Sequence, residues 1–376
     1  MLPLRKFAKH LFLVLNFLVA ILFLLSCCNA FLHPDKWWFI SLLSFFFPLF
    51  LVLLLLFALI WLFISKRWML FPLGCLLLGW ANIHALFGLS LSGNDFSHKP
   101  DHSIRLMTWN VRAWDDFTTR KKGASGHRPK MLRLIDQQQA DILCFQEFLE
   151  PTDSLQSNIR YIRDSLHFPY YFFSHDSRNY RGKYETGAII FSRYPILHSE
   201  RHSISVDNKS HESLIEADID VNGKIMRVYT THLQSVLFKP KDFRDVEIVR
   251  TGQDSLFPAS KSLAKKLRYA LSLRGYQADT VRKYLDKCPY PSVICGDFND
   301  VPNSYAYFHI KNNRQDAFIM KNFGIGRTYV HISPTLRIDY ILVSNEIGVL
   351  QSERMVTPYS DHHPVLADLQ LSGRNR

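Results

Sequence analysis

Three apolar segments dominate the first quarter of the chain: Leu11 to Leu32, Trp38 to Ile64 and Trp68 to Leu91. Each has the roughly 20 residues that a helix needs to cross about 30 Å of hydrocarbon. Residues 1–93 carry six Lys/Arg and one acid, which leaves 39 basic and 32 acidic residues to the rest. A stretch with so little charge lacks the polar surface of a water-soluble domain. The chain therefore divides into an all-α membrane region over 1–92, with three predicted transmembrane helices, a polar linker over 93–102 and a soluble domain over 103–376.

Orientation follows from the flanks. Arg5, Lys6 and Lys9 precede the first segment, Lys66 and Arg67 separate the second from the third, and the first connection offers Asp35 and Lys36. The positive-inside rule places the N-terminus and the second connection in the cytoplasm. Three crossings then put the soluble domain on the outer, periplasmic face of a bacterial inner-membrane type of bilayer. If the third segment only lies in the interface, that domain stays cytoplasmic. The first segment also has the basic start and apolar middle of a signal peptide, and "LLSCC" hints at a lipid-modified cysteine. The stronger segment that follows anchors the chain regardless.

The soluble part alternates short β-type runs with helical stretches. "PKMLRLIDQQQA" leads into "DILCF", and "SKSLAKKLRYALSLRGYQADTVRKYLDK" leads into "SVICGD". This texture predicts an α/β sheet covered by helices. Residues 236–262 are charged and turn-rich and read as a surface excursion. The six cysteines show no metal spacing and no disulfide framework; Cys144 and Cys295 read as small hydrophobes in strands.

Polar side chains recur where the apolar runs begin or end. "MTW" is followed by Asn110, "DILCFQE" ends in Glu147, "VYTTH" ends in His232, and "VICGDFN" delivers Asp297 and Asn299. "RIDYILV" carries Asp339 near its start, and "SDHHPV" presents Asp361 and His362 before its strand. One such end is a turn. Six, rich in carboxylate, carboxamide and imidazole, point to a shared site at one edge of a sheet. Oxygen donors without thiol favour a hard cation such as Mg²⁺, with Mn²⁺ as a substitute. A hard cation beside histidines suits hydrolysis of a phosphate ester.

Taken in order, "MTWNVR", "DILCFQE", "GAIIFSRYPI", "THLQS", "GDFND", "RIDYIL" and "SDHHPV" resemble the endonuclease/exonuclease/phosphatase superfamily. That group includes deoxyribonuclease I, exonuclease III, neutral sphingomyelinases and inositol polyphosphate 5-phosphatases. The resemblance covers roughly residues 103 to 372. It implies a four-layer α/β (α+β) sandwich of two packed, mostly antiparallel sheets flanked by helices. It also implies that Glu147 is the principal metal ligand, supported by Asn110 and Asp361. Asp297 would activate water, Asn299 would orient water or phosphate, and His362, held by Asp339, would contact the scissile phosphate. His232 would contact phosphate from the other side, with Glu185 as a supporting residue that orients it. One departure stands out: some members carry an acid two residues after the "WN" asparagine, where this chain has Arg112.

The expectation is a membrane-anchored, divalent-metal-dependent hydrolase of a phosphodiester, most like an endonuclease or exonuclease. The alternative is a lipid- or inositol-phosphate phosphatase or a sphingomyelinase-like phosphodiesterase. A more distant one is a membrane scaffold that uses the fold without catalysis. The soluble part's mild basic excess assists any phosphate substrate, nucleic acid or lipid, without selecting one. The lipid bilayer is the other expected partner, and no feature predicts a protein partner.

Overall fold

Parallel strand pairs organise this molecule. The computed structural model describes residues 2–91, 96, 98–115, 126–153, 156–179, 182–207, 211–236, 238, 240–251 and 256–371. Its strands are β1 (Gly88–Leu89), β2 (Ile104–Asn110), β3 (Ile142–Pro151), β4 (Tyr170–Phe173), β5 (Ser177–Asn179), β6 (Tyr184–Ser192), β7 (Ile196–Ser203) and β8 (Ser213–Val221). They continue with β9 (Lys224–His232), β10 (Ser292–Asp297), β11 (Gln315–Asp316), β12 (Phe323–Gly324), β13 (Asp339–Val343), β14 (Ile347–Arg354) and β15 (Val365–Leu371).

One sheet has the order β14-β15-β2-β3-β6-β4, with β5 beside β6, and the other has β11-β13-β10-β9-β8-β7. Among the described residues, only β2 and β3 run parallel in the first, and only β9 and β10 in the second. Parallel neighbours need a long crossover. The helix Arg128–Gln137 lies in the crossover from β2 to β3, and the helix Leu256–Asp286 in that from β9 to β10. Each parallel pair thus brings two strand ends to one place: Asn110 pairs with Gln146, and His232 with Asp297.

The inner faces carry small and branched side chains, among them Leu106, Cys144, Ile190, Ala217, Val293 and Ile341, all buried in one core. Cys144 and Cys295 are both part of it, as small hydrophobes. The outer face of the first sheet is aromatic: Trp109, Phe145, Phe148 and Phe191 pack with Trp114, which follows β2, and with Met131 and Ile135 of the helix Arg128–Gln137. Burying each such ring stabilises the fold by about 1.5–3 kcal/mol. The sandwich of mixed sheets flanked by helices that the motifs implied is the fold.

By their contacts the residues form two compact units. One comprises Met1–Phe87, Phe238–Gly275 and Val301–His309; the other comprises Gly88–Leu237, Tyr276–Asp300 and Ile310–Arg376. Within residues 236–262, expected to be a surface excursion, Pro240–Thr251 and the start of Leu256–Asp286 are helical, and the part from Phe238 on belongs to the first unit. Lys266 Nζ reaches the buried Asp242 at 2.6 Å there. Part of the expected linker, residues 93–95 and 97, lies outside the described residues.

Two N-terminal stretches, Phe7–Ala30 and Trp38–Ile64, are long and apolar enough to cross a membrane. The third segment differs from the single helix expected: Lys66–Leu78 and Trp80–Leu86 meet at 64°, so it crosses only if the bent pair spans as one. The break falls at Gly79, where an added Cβ would lie 2.5 Å from the Phe23 ring. Just beyond, the buried Asn82 donates to the carbonyl of Cys27. The segment also ends earlier than Leu91, because Gly88–Leu89 pairs with Phe323–Gly324 as a two-stranded sheet.

Candidate active site

The stretch "CGDFND" turns sharply at the end of β10, and its glycine explains how. Gly296 has φ +134°, and a Cβ there would lie 2.1 Å from the Thr231 carbonyl oxygen. Only glycine lets β10 come this close to β9 while turning out the next side chain. Asp297 Oδ1 accepts from the backbone N–H of Asn299 at 2.8 Å, and Asn299, at φ +52°, donates its amide to the Leu233 carbonyl at 2.9 Å. The turn is real, and it serves to fix a carboxylate.

The other oxygen of Asp297 is a convergence point. Asn110 Nδ2 donates to Asp297 Oδ2 at 3.0 Å and to Glu147 Oε1 at 3.0 Å. The Nε2 atoms of His232 and His362 each lie 3.6 Å from the same Oδ2. His232 Nε2 is also 3.6 Å from Glu147 Oε1. Behind His362, Nδ1 meets Asp339 Oδ2 at 2.9 Å. Asn110, Glu147, His232, Asp297, Asp339 and His362 therefore form one contiguous group, drawn from both sheets. Glu147 adopts φ +50°, a strained conformation for a non-glycine residue that is often found at functional sites.

The loop bearing Asp361 and His362 is pinned to β2. Trp109 Nε1 donates to the His362 carbonyl at 2.8 Å, and Ser360 Oγ donates to the Asn110 carbonyl at 2.9 Å. Asp361 itself faces Arg112, whose Nε is 3.3 Å from Oδ2. The guanidinium that replaces the acid of other sequences thus neutralises an expected metal ligand. Glu185 requires a correction. It contacts His175 at 2.7 Å and Arg178 at 3.5 Å, in place of the expected His232, because its strand position on β6 faces β5.

Burial would lower the pKa of His362, but the charges of Asp339 and Asp297, the hydrogen bond to Asp339 and the charge of Asp361 outweigh it and raise it to about 10. Burial raises Asp297, opposed by His362, reinforced by Asp339 and opposed again by His232 and the Asn110 hydrogen bond. Asp297, Asp339 and His362 are close enough to hold an ion together. Each imidazole nitrogen of His362 faces a different buried carboxylate. Glu147 and Asp361 are carboxylates, and Asn110 Oδ1, which accepts from the Arg112 N–H at 3.0 Å, is an amide oxygen; these are the donor types a hard cation takes. His363 is unlike its neighbour: burial and Arg354 lower it to about 4, and its Nδ1 accepts from the Thr357 N–H, as a neutral ring does.

Two supporting residues had escaped assignment. Gln146, fully buried, donates to Thr108 Oγ1 at 3.1 Å and Thr230 Oγ1 at 2.8 Å, tying the first sheet to the second beneath the site. Its place in the "FQE" motif was the available signal. The Tyr329 ring lies 5.0 Å from His362 and is bridged to it through the backbone. Nothing in its irregular loop announced that.

A family model described as the Endonuclease/Exonuclease/phosphatase family matches residues 107–362, a range that contains every residue of this group. Another, described as a domain of unknown function, matches residues 9–86. No curated protein matches the sequence. Among solved structures, a family protein from Leptotrichia buccalis C-1013-b aligns at 16% identity and TM-score 0.50, over 71% of this chain and 99% of its own. The mannosyl-6-phosphatase of Bacteroides thetaiotaomicron VPI-5482 also aligns at 16% identity and TM-score 0.50, over 71% of this chain and 99% of its own. These likenesses concern the fold. With a family match across two thirds of the sequence and the group at the sheet ends, the chain belongs to the Endonuclease/Exonuclease/phosphatase family.

Proposed function

We propose that this chain is a membrane-anchored, divalent-metal-dependent phosphoesterase that hydrolyses a phosphodiester. The observation that carries the reading is the position of Asp297 Oδ2, 3.6 Å from the Nε2 atoms of both His232 and His362. A carboxylate between two imidazoles can take the proton of an attacking water while the imidazoles donate to the phosphoryl oxygens. The water oxygen forms the new bond to phosphorus, Asp297 takes the water proton, the ester P–O bond breaks, and the departing ester oxygen takes a proton from the cationic His362. Asp339 holds His362 in its cationic form, ready to donate. Asn110 keeps Glu147 and Asp297 at a fixed separation, and Asn299 secures the Asp297 rotamer.

Glu147, Asn110 and Asp361 would hold Mg²⁺, with Mn²⁺ as a substitute; Glu147 is the most open of them, its side chain 41% exposed. When bound, the cation would neutralise charge on the non-bridging oxygens and the leaving group. A second reading, a phosphomonoesterase acting on a lipid or inositol phosphate, is favoured by Arg112. Its guanidinium beside Asp361 adds positive charge that a dianionic monoester uses better than a diester.

The apolar helices support an anchor, and the positive flanks support a cytoplasmic N-terminus with the catalytic unit on the periplasmic side if the bent pair crosses. A reporter fused after Leu91 reads the side directly. The activity test uses the full chain in detergent on plasmid DNA, bis-p-nitrophenyl phosphate, p-nitrophenyl phosphate, phosphoinositides and sphingomyelin, each with Mg²⁺ and with chelator. Diester cleavage that needs Mg²⁺ and disappears in Asp297→Asn supports the first reading. Cleavage of monoesters alone selects the second. Inactivity on all of them, with Mg²⁺ and Mn²⁺ alike, overturns both.

A further inference from the structure

The outer face of the second sheet carries a polar cluster that the proposed chemistry does not use. His198, Glu200 and His202 stand at alternate positions of β7, so all three project from one face. β7 is the edge strand of its sheet, and a register shift between Ile196 and His198 bends it where the cluster begins. Glu200 lies directly opposite Glu216 of β8. Two like charges facing each other across a strand pair are destabilising unless something positive sits between them.

The positive charge nearby is already claimed. Arg227 donates from Nη2 to Asp218 Oδ2 at 2.7 Å, with Nε on the other carboxylate oxygen, and its Nη1 is 3.1 Å from Glu216 Oε1. Glu216 and Asp218 thus share one guanidinium, while Glu200 has His202 Nδ1 at 3.6 Å and His198 Nε2 at 3.9 Å as its neighbours. Ligand-type atoms of His198, Glu200 and Glu216 lie within 4.8 Å of one another.

A second observation points at the same spot. His202 is 8% exposed, and its Nε2 makes no hydrogen bond. That atom lies 3.3 Å from Glu216 Oε2. The ring is stacked on Tyr284, with centroids 3.9 Å apart, so its direction is fixed. Bonds of roughly 2.0–2.2 Å at a tetrahedral ion separate neighbouring ligand atoms by roughly 3.4 Å, so His202 and Glu216 already stand at that spacing.

We propose that His198, Glu200, His202 and Glu216 form a second metal site, selective for a borderline transition ion of the Zn²⁺ type. Two imidazoles and two carboxylates suit such an ion, whereas the oxygen donors of the candidate active site suit Mg²⁺. Glu216 and His202 supply the buried half; His198 and Glu200, 55% and 56% exposed, close over the ion from the solvent side. The ion would clamp the edge strand to its neighbour at the pair of facing glutamates. The two sites share no residue.

Titration of the chelator-stripped full chain with Co²⁺, in millimolar Mg²⁺ to occupy the hard-cation site, tests this. The wild type is expected to bind one Co²⁺ with the visible absorption of a tetrahedral nitrogen/oxygen site, displaced by Zn²⁺. His198→Asn with Glu200→Gln, both exposed positions that leave the fold intact, is expected to weaken that binding at least tenfold while Mg²⁺-dependent activity stays unchanged. Equal Co²⁺ binding in the two proteins, or none in the wild type, overturns the proposal.

Discussion

Asp339 and His362 form a buried pair, Nδ1 to Oδ2 at 2.9 Å, with the opposite ring nitrogen turned to Asp297. Asp339 comes from the start of β13, beside β10 in the second sheet, while His362 precedes β15 in the first. The contact therefore exists only once the sandwich has closed. It sets both the tautomer and the charge of the imidazole that would face phosphate.

Asp339→Asn keeps the shape of the pair and removes the charge. We expect kcat to fall by about 10²–10⁴-fold, the range of a lost general acid or base, with a much smaller change in KM. The alkaline limit of the pH–rate profile should move to lower pH. Steady-state kinetics across pH checks this; a lowered kcat with an unmoved profile would assign Asp339 a packing role only.

Stability should depend on pH through the same pair. The folded protein raises His362 from 6.5 to about 10, so between these values the native state binds more protons than the unfolded chain. The contribution is complete below pH 6.5 and is lost as pH rises toward 10. Denaturant melts in chelator should show wild-type stability falling over that window, and the fall should flatten in His362→Gln.

Arg112 competes with a cation for Asp361. Its side chain is 39% exposed, so the ion pair is worth at most about 1 kcal/mol. Arg112→Ala should accordingly lower the Mg²⁺ concentration for half-maximal activity by about fivefold or less. A higher requirement would mean that the guanidinium helps to build the site.

Gly296→Ala tests the close approach of β10 to β9. With φ +134° and a Cβ 2.1 Å from the Thr231 oxygen, the substitution should cost roughly 2–4 kcal/mol in strain and overpacking. Thermal melts should show a drop of several degrees. An unchanged melting temperature would contradict the turn geometry described for Asp297.

Much of the catalytic unit was legible because strand ends are local events. An apolar run that stops at Asn110, Glu147, His232 or Asp297 announces both a strand and the polar group it delivers. Glu185 was misplaced for a complementary reason. Which strand lies beside β6 is decided by pairing, and β5 brought His175 and Arg178 to it. The metal-type cluster on β7 and β8 was invisible for the same reason, since Glu200 and Glu216 meet only through register.

The sequence by itself determined the apolar N-terminal region, the sandwich and the identity of the polar strand ends, because hydrophobic period, turn chemistry and motif order are written along the chain. Tertiary structure alone decided that the third apolar segment bends at Gly79 against Phe23, that Asp361 faces Arg112, and that two histidines from different sheets share one oxygen of Asp297. Those relationships depend on distances between residues far apart in the chain. They are set when two sheets pack and two parallel pairs bring their strand ends together.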